Sequence, residues 1–234
     1  MIVVSAVVFD LDGTLLDHVA SARAGLRSWL SGLGVEATND LERAWFQAEE
    51  RHIAAWRSGE TTWEEQRRRR LREFLPLIGV SPGGDDELDR VFSDGFLVAY
   101  EAAWVGYEDV DSALAELAKR GFALAMLTNG SEAQQRAKLA RLELSHRIGP
   151  VFTAERLGVA KPDCRAFLLV CEVLGLAPGA VLYVGDDYEV DVVAARAAGL
   201  KAVHLARPSD DRPSREEAIS TLAELLDVVE RRPA

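Results

Sequence analysis

The chain opens on MIVVSAVVFDLDGTLLD, a near-continuous apolar run that stops abruptly at two aspartates. Val3, Val4, Ala6, Val7, Val8 and Phe9 leave the segment without a polar face. Such a strand is covered on both sides, which is the situation inside a parallel sheet flanked by helices. Side chains two apart on an extended segment point the same way, so Asp10 and Asp12 are expected to lean toward one spot just past the strand's carboxyl end. Like charges that close are unfavourable unless a proton or a cation sits with them. Gly13 then supplies a tight turn, and Thr14 adds a hydroxyl.

From Val110 onward, strand-like runs alternate with amphipathic helical stretches, the pattern of a parallel α/β sheet. DVDSALAELAKRG reads as a helix closed by Gly121, with FALAMLT as the strand after it. SEAQQRAKLARLEL starts at a Ser131 cap, GPVFTAE holds a short strand, KPDCRAFLLVCEVLGL is helical, and AVLYVGD is a further strand. VDVVAARAAGL, KAVHLA and PSREEAISTLAELLDVVE complete the series as helix, strand and helix. Between roughly His18 and Trp104 the strand signals vanish. Helical patterns take over around VASARAGLRSWLSGL, LERAWFQAEERHIAAWRSG, WEEQRRRRLREFLPLIG and DELDRVFSDGFLVAYEAAW. The expected architecture is an α/β, Rossmann-like parallel-sheet core over residues 1–17 and 105–234. An all-helical cap over residues 18–104, placed like a lid, is inserted after the first strand.

Two features of the insert need a structural explanation before a functional one. Trp45, His52 and Trp56 share a helix face and are read as the insert's own core. Arg67, Arg68, Arg69 and Arg70 are consecutive, and each helical residue is turned by about 100° from the last. They cannot all face one pocket, and the run is read as a solvated face paired with Glu64, Glu65 and Glu73.

The formal net charge of -11 argues against non-specific attraction to nucleic acid polymers or anionic membranes. The N-terminal apolar run is too short to span a bilayer and lacks a basic flank, so a soluble, cytoplasmic protein is expected. Cys164 and Cys171 fall seven apart in one helical stretch, which puts their Cα atoms roughly 10 Å apart, beyond disulfide reach. They are read as reduced packing residues.

In open parallel sheets, ligands bind outside the carboxyl ends of the strands. The first strand ends in Asp10-Leu11-Asp12-Gly13-Thr14, and FALAMLT ends in Thr128-Asn129-Gly130-Ser131. Lys161-Pro162 follows the short third strand after a loop, and AVLYVG ends in Asp186-Asp187, with Asp191 four residues beyond. Carboxylates, an ammonium and hydroxyls would therefore meet on one rim. Hard oxygen ligands of this kind suit Mg²⁺. A metal and a lysine together neutralise a phosphoryl group, and a helix start can hold its oxygens.

In this order, DLDGT, TNG, the Lys161-Pro162 pair and GDDYEVD resemble the four motifs of the haloacid dehalogenase-like (HAD) hydrolase superfamily. The helical insert resembles the cap of that family's phosphatase-type members. The resemblance implies a HAD-type fold and a set of roles. Asp10 would be the nucleophile that forms an aspartyl-phosphate. Asp12 would protonate the leaving oxygen and then activate water. Mg²⁺ would be held by the Asp10 and Asp186 carboxylates and the Asp12 backbone carbonyl. Thr128 and the Asn129 amide would grip the phosphoryl group, and Lys161 would balance its charge. Thr14 and Asp191 would support this set, while Asp187 would be either a supporting residue around the metal or a helix cap.

Asp12 discriminates within the family. Dehalogenase members lack this acid because a halide needs no proton, and phosphonatase-like members replace it with a small residue. The activity implied is a Mg²⁺-dependent phosphomonoesterase acting on a small phosphorylated metabolite, with a nucleotide and a sugar phosphate as the two candidate classes. A phosphoryl-transferring mutase and a non-catalytic binding or regulatory protein of the same fold are the alternatives.

Overall fold

The computed structural model describes residues 4–207 and 218–230. Val3 and residues 213–217, expected in the first strand run and the last helix, lie outside the described residues. In chain order, β1 (Ala6–Phe9) is followed by α1 (His18–Gly32), α2 (Asn39–Arg57), α3 (Trp63–Phe74), α4 (Asp85–Arg90) and α5 (Val98–Ala102). Then come α6 (Val110–Lys119), β2 (Ala123–Thr128), α7 (Glu132–Arg141), β3 (Val151–Thr153), α8 (Ala154–Leu157) and α9 (Cys164–Leu174). β4 (Val181–Gly185), α10 (Ala194–Ala197), β5 (Lys201–His204) and α11 (Leu222–Glu230) complete the order. The chain divides into two compact units, residues 1–19 with 104–234, and residues 20–103.

The first unit is built on a five-stranded, wholly parallel sheet ordered β3-β2-β1-β4-β5. β1 is central, with Ala6 opposite Ala123 and Val181 and Phe9 opposite Met126 and Val184. All four of its residues are fully buried, which is why the apolar run carries no polar alternation. One face of the sheet, with Val8, Ala125, Leu127, Val181 and Tyr183, packs on Phe167 and Val170 of α9 and on Ala194 and Ala195 of α10. Elsewhere α6 packs on β2, and α11 packs on α6. Local capping sets the helix starts near the strand ends. Ser131 accepts a hydrogen bond from the Gln134 amide at the start of α7, and Asp163 accepts one from the Arg165 amide at the start of α9. Cys164 and Cys171 are free thiols, half-buried and buried.

The second unit is helical, and its core is aromatic. Trp45 is fully buried, with ring centroids 4.3 Å from Phe96, 5.0 Å from Phe74 and 5.7 Å from Trp29. Trp56, lower on the same helix, packs edge-on against Trp63 at 4.7 Å, and His52 bonds Glu73 at 2.8 Å. The arginine run corrects the sequence expectation. None of the four is fully exposed, and Arg70 is buried. It stacks 4.6 Å over Trp45 and pairs with Glu49 at 2.9 Å. Arg67 lies over Trp63 and Phe92, while Arg68 bonds Asp89 and Asp85. Glu65 serves as foreseen, for Arg69 and Arg68, whereas Glu73 pairs with Arg51 and His52. The reason is packing: α2 and α4 both lie against α3, so a helix read in isolation as half-solvated has little free surface. Among the described residues, no helix is long and apolar enough to cross a membrane.

Phe167 is fully buried and meets Tyr183 edge-on at 5.0 Å. Phe167→Ala should lower unfolding free energy by about 3–5 kcal/mol in urea denaturation. Val173→Ala, at an exposed site of the same helix, should change it by no more than about 0.5 kcal/mol.

Candidate active site

β1 pairing ends at Phe9, and the Asp10 amide still donates to the Val184 carbonyl at 2.9 Å. This last strand-like bond fixes Asp10 at the rim. Its carboxylate accepts from Lys161 Nζ at 2.7 Å, and the same ammonium donates to Asp191 Oδ1 at 2.7 Å and to Tyr183 Oη at 2.8 Å. Tyr183 in turn donates to the Leu127 carbonyl at 2.9 Å. The Lys161 backbone is clasped by Asn129, whose Nδ2 donates to the Lys161 carbonyl at 2.7 Å while its Oδ1 accepts from the Lys161 amide at 2.8 Å. A loop lysine is thus locked to the end of β2 before its side chain enters the cluster.

Burial would lower the Lys161 ammonium, but Asp10, Asp191 and Tyr183 outweigh it and hold it well above its ordinary value. Asp10 is driven well above the usual carboxylate range. Burial is the largest cause, Lys161 opposes it, and Asp191 and Asp186 push upward again. Oxygens of Asp10, Asp186 and Asp191 all lie within 4.8 Å of one another. A lysine shared by two of three such carboxylates still leaves Asp10 hard to ionise. That donor set fits a hard divalent cation.

Asp12 is served separately. Lys138 Nζ donates to its two oxygens at 2.7 and 2.8 Å, and Gln135 Nε2 donates to Oδ2 at 3.2 Å. Burial works against ionisation here too, yet Lys138 and then His18 prevail and hold Asp12 below the ordinary carboxylate range. The expectation of one shared spot for Asp10 and Asp12 is therefore refined. Strand pairing stops before Asp12, the two-residue alternation ends with it, and each carboxylate has its own ammonium.

The remaining residues take the following places. Gly13 has φ +84°, and a Cβ there would lie 2.4 Å from Asp186 Oδ2. Only glycine lets the β1 turn approach that carboxylate. Thr14 is fully buried, and its hydroxyl is 3.5 Å from Asp186 Oδ1. Thr128 is buried, with its hydroxyl accepting from Gln135 Nε2 at 2.9 Å. Asp187 accepts from the Val190 amide at 3.1 Å, which is the helix-cap alternative in geometric terms. It lies outside the three-carboxylate group.

Tyr183, Lys138, Gln135, His204 and Arg207 were not foreseen. His204 Nε2 lies 3.0 Å from the Asp186 carbonyl. Arg207 donates to the Thr14 carbonyl at 2.8 Å and to Asp109 at 2.7 Å. One signal was available in the sequence: Tyr183 is the lone hydroxyl in an otherwise aliphatic strand.

The family model described as haloacid dehalogenase-like hydrolase matches residues 4–199. A ribulose-1,5-bisphosphate 5-phosphatase of Halopiger xanaduensis is 31% identical over 240 residues, spanning 96% of this chain and 99% of that one. An (S)-2-haloacid dehalogenase of Xanthobacter autotrophicus is 32% identical over 230 residues, spanning 95% and 83%. The magnesium-bound structure of YfnB from Bacillus subtilis superposes with a TM-score of 0.83 at 22% identity, covering 97% of this chain and 99% of that one. At that identity the likeness is one of fold.

Lys161→Met leaves Asp10 and Asp191 without their shared cation. Measured by urea denaturation at neutral pH in chelator, it should cost about 3–5 kcal/mol. Because the folded-state value of Lys161 is raised, its contribution is complete below the unfolded value of 10.5 and is lost as pH rises through the folded one. The gap between native and variant should therefore persist from pH 7 to 10 and narrow only beyond.

Proposed function

The chain belongs to the haloacid dehalogenase-like hydrolases, and on that footing we propose that it is a phosphomonoesterase acting on a small phosphorylated metabolite through a phosphorylated Asp10. One observation carries this reading. A buried carboxylate and a half-buried one are paired with two different lysines, Asp10 with Lys161 and Asp12 with Lys138, each at 2.7 Å. At Asp12 burial is outweighed by Lys138 and His18, which keep it below the ordinary carboxylate range, in the form that takes a proton from water. A cation held by Asp10 and Asp186 would oppose the burial that raises Asp10. Two carboxyl groups given unlike surroundings are suited to unlike tasks.

In this scheme Asp10 attacks phosphorus while the Asp12 carboxyl protonates the departing ester oxygen. Asp12 then takes a proton from the water that attacks phosphorus and frees Asp10. Thr128 and the Asn129 amide hold phosphoryl oxygens at the start of α7, and Lys161 sets positive charge against them. Asp10, Asp186 and the Asp12 carbonyl would hold Mg²⁺, which when bound neutralises phosphoryl charge and orients the group. Asp191 keeps Lys161 in place. The ribulose-1,5-bisphosphate relative supports a sugar phosphate over a nucleotide, and the setting in this reading is the cytoplasm.

The dehalogenase relative favours a second reading, displacement of halide by Asp10. A halide leaves without a proton, so the acid role of Asp12 would then have no task. Halide release from 2-chloropropionate, with no phosphate release from any ester, would establish that reading instead.

Asp10→Asn should cut phosphate release from p-nitrophenyl phosphate by about 10³-fold or more, with circular dichroism unchanged. Excess chelator should do the same to the native protein, and added Mg²⁺ should restore it. Turnover that survives either treatment would contradict the nucleophile or the metal, respectively.

A further inference from the structure

The second motif does not end at its glycine. In TNGSEAQQRAKL, α7 begins after the Ser131 cap, and Gln135 and Lys138 are three apart, hence on one face of the helix. Side chains on a helix lean toward its N-terminus, here toward the end of β2. Both residues are polar, and both are about 97% buried or more. A buried ammonium is costly unless it is paired and hydrogen-bonded. Lys138 meets that demand on Asp12, reaching both oxygens at 2.7 and 2.8 Å, with the Trp104 ring 5.8 Å from its Nζ.

Gln135 uses its amide nitrogen twice, on Asp12 Oδ2 at 3.2 Å and on Thr128 Oγ1 at 2.9 Å. The third residue of TNG makes this possible. A Cβ on Gly130 would fall 2.3 Å from Gln135 Nε2 and 2.7 Å from its Cδ, displacing the whole amide. Absence of a side chain at Gly130, the amide at Gln135 and the ammonium at Lys138 are one arrangement.

We propose that Lys138 and Gln135 are positioning residues for Asp12. Lys138 fixes the orientation of its carboxylate, and Gln135 ties that carboxylate to the Thr128 hydroxyl at a set separation. The proposal rests on the phosphomonoesterase reading and deepens it. The step it governs most is the second. Water loses a proton to the Asp12 carboxylate, its oxygen bonds phosphorus, and the bond from phosphorus to the Asp10 carboxyl oxygen breaks. In the first step, the bond from Asp10 to phosphorus forms as the ester P–O bond breaks. There the proton from Asp12 matters only when the leaving oxygen is strongly basic.

Two esters and one variant separate these roles. With p-nitrophenyl phosphate, whose leaving group needs no proton, Lys138→Met should give a p-nitrophenolate burst approaching one equivalent per site. A steady rate about 10–100-fold below native should follow. Its kcat/KM should stay within about threefold of native, because that ratio reports the first step. With an alkyl phosphate, both kcat and kcat/KM should fall. Gln135→Leu should show the same split at smaller size, and it serves as the test if Lys138→Met does not fold.

A fall of kcat and kcat/KM together on p-nitrophenyl phosphate, or no change on either ester, would overturn the positioning role while native turnover leaves the phosphomonoesterase reading intact. A native protein that releases phosphate from neither ester would overturn that reading, and the proposal with it.

Discussion

The contact on which the site depends is one buried ammonium shared by two carboxylates. Lys161 lies 2.7 Å from Asp10 and 2.7 Å from Asp191, with the Tyr183 hydroxyl at 2.8 Å. The three groups it joins come from the end of β1, from the π-helical segment Tyr188–Val193 that follows β4, and from β4 itself. The lysine comes from a loop that Asn129 holds at the end of β2. Remove the ammonium and like charges face each other in a poorly solvated place. Keep it, and Asp10 remains oriented toward the rim while still hard to ionise. The cluster is therefore held together by one ammonium, with the oxygens of three carboxylates close enough to take a cation.

The strand order makes that convergence possible. β1 lies between β2 and β4, so chain segments far apart in sequence end side by side at a point where the direction of sheet growth reverses, the usual place for a ligand in such sheets. The central position also accounts for the opening run of the sequence, since a strand buried on both faces and paired on both edges leaves no place for a polar residue until it ends. The two carboxylates come immediately after that end. Asp10 keeps one more sheet hydrogen bond, whereas Asp12 enters the turn and is taken up by α7. One motif thereby supplies two carboxyl groups in different surroundings.

What could be seen beforehand follows from this geometry. Asp10, Thr128, Lys161 and Asp186 each stand where an apolar run stops, or in a loop after it, and a polar residue in that position is conspicuous. Lys138 is not. It occupies an ordinary polar place in an amphipathic helix, and its partner Asp12 is 126 residues away. Arg207, 193 residues from the Thr14 carbonyl it binds, is equally hidden. The arginine run of α3 failed for the related reason that helical periodicity tells which residues share a face, not whether a second and third helix cover it. Local pattern shows where strands and helices begin and end. Pairings of buried charge arise only when the sheet is assembled.

The central claim is that Asp10 carries the phosphoryl group, and it can be read chemically. Native protein turning over p-nitrophenyl phosphate with Mg²⁺ is quenched within a turnover and reduced with borohydride, which converts an acyl phosphate to an alcohol, and the peptides are then sequenced by mass spectrometry. The account predicts homoserine at position 10 and aspartate unchanged at positions 12, 186 and 191. Conversion at one of those three positions instead, or an intact Asp10 in protein that is releasing phosphate, would contradict it.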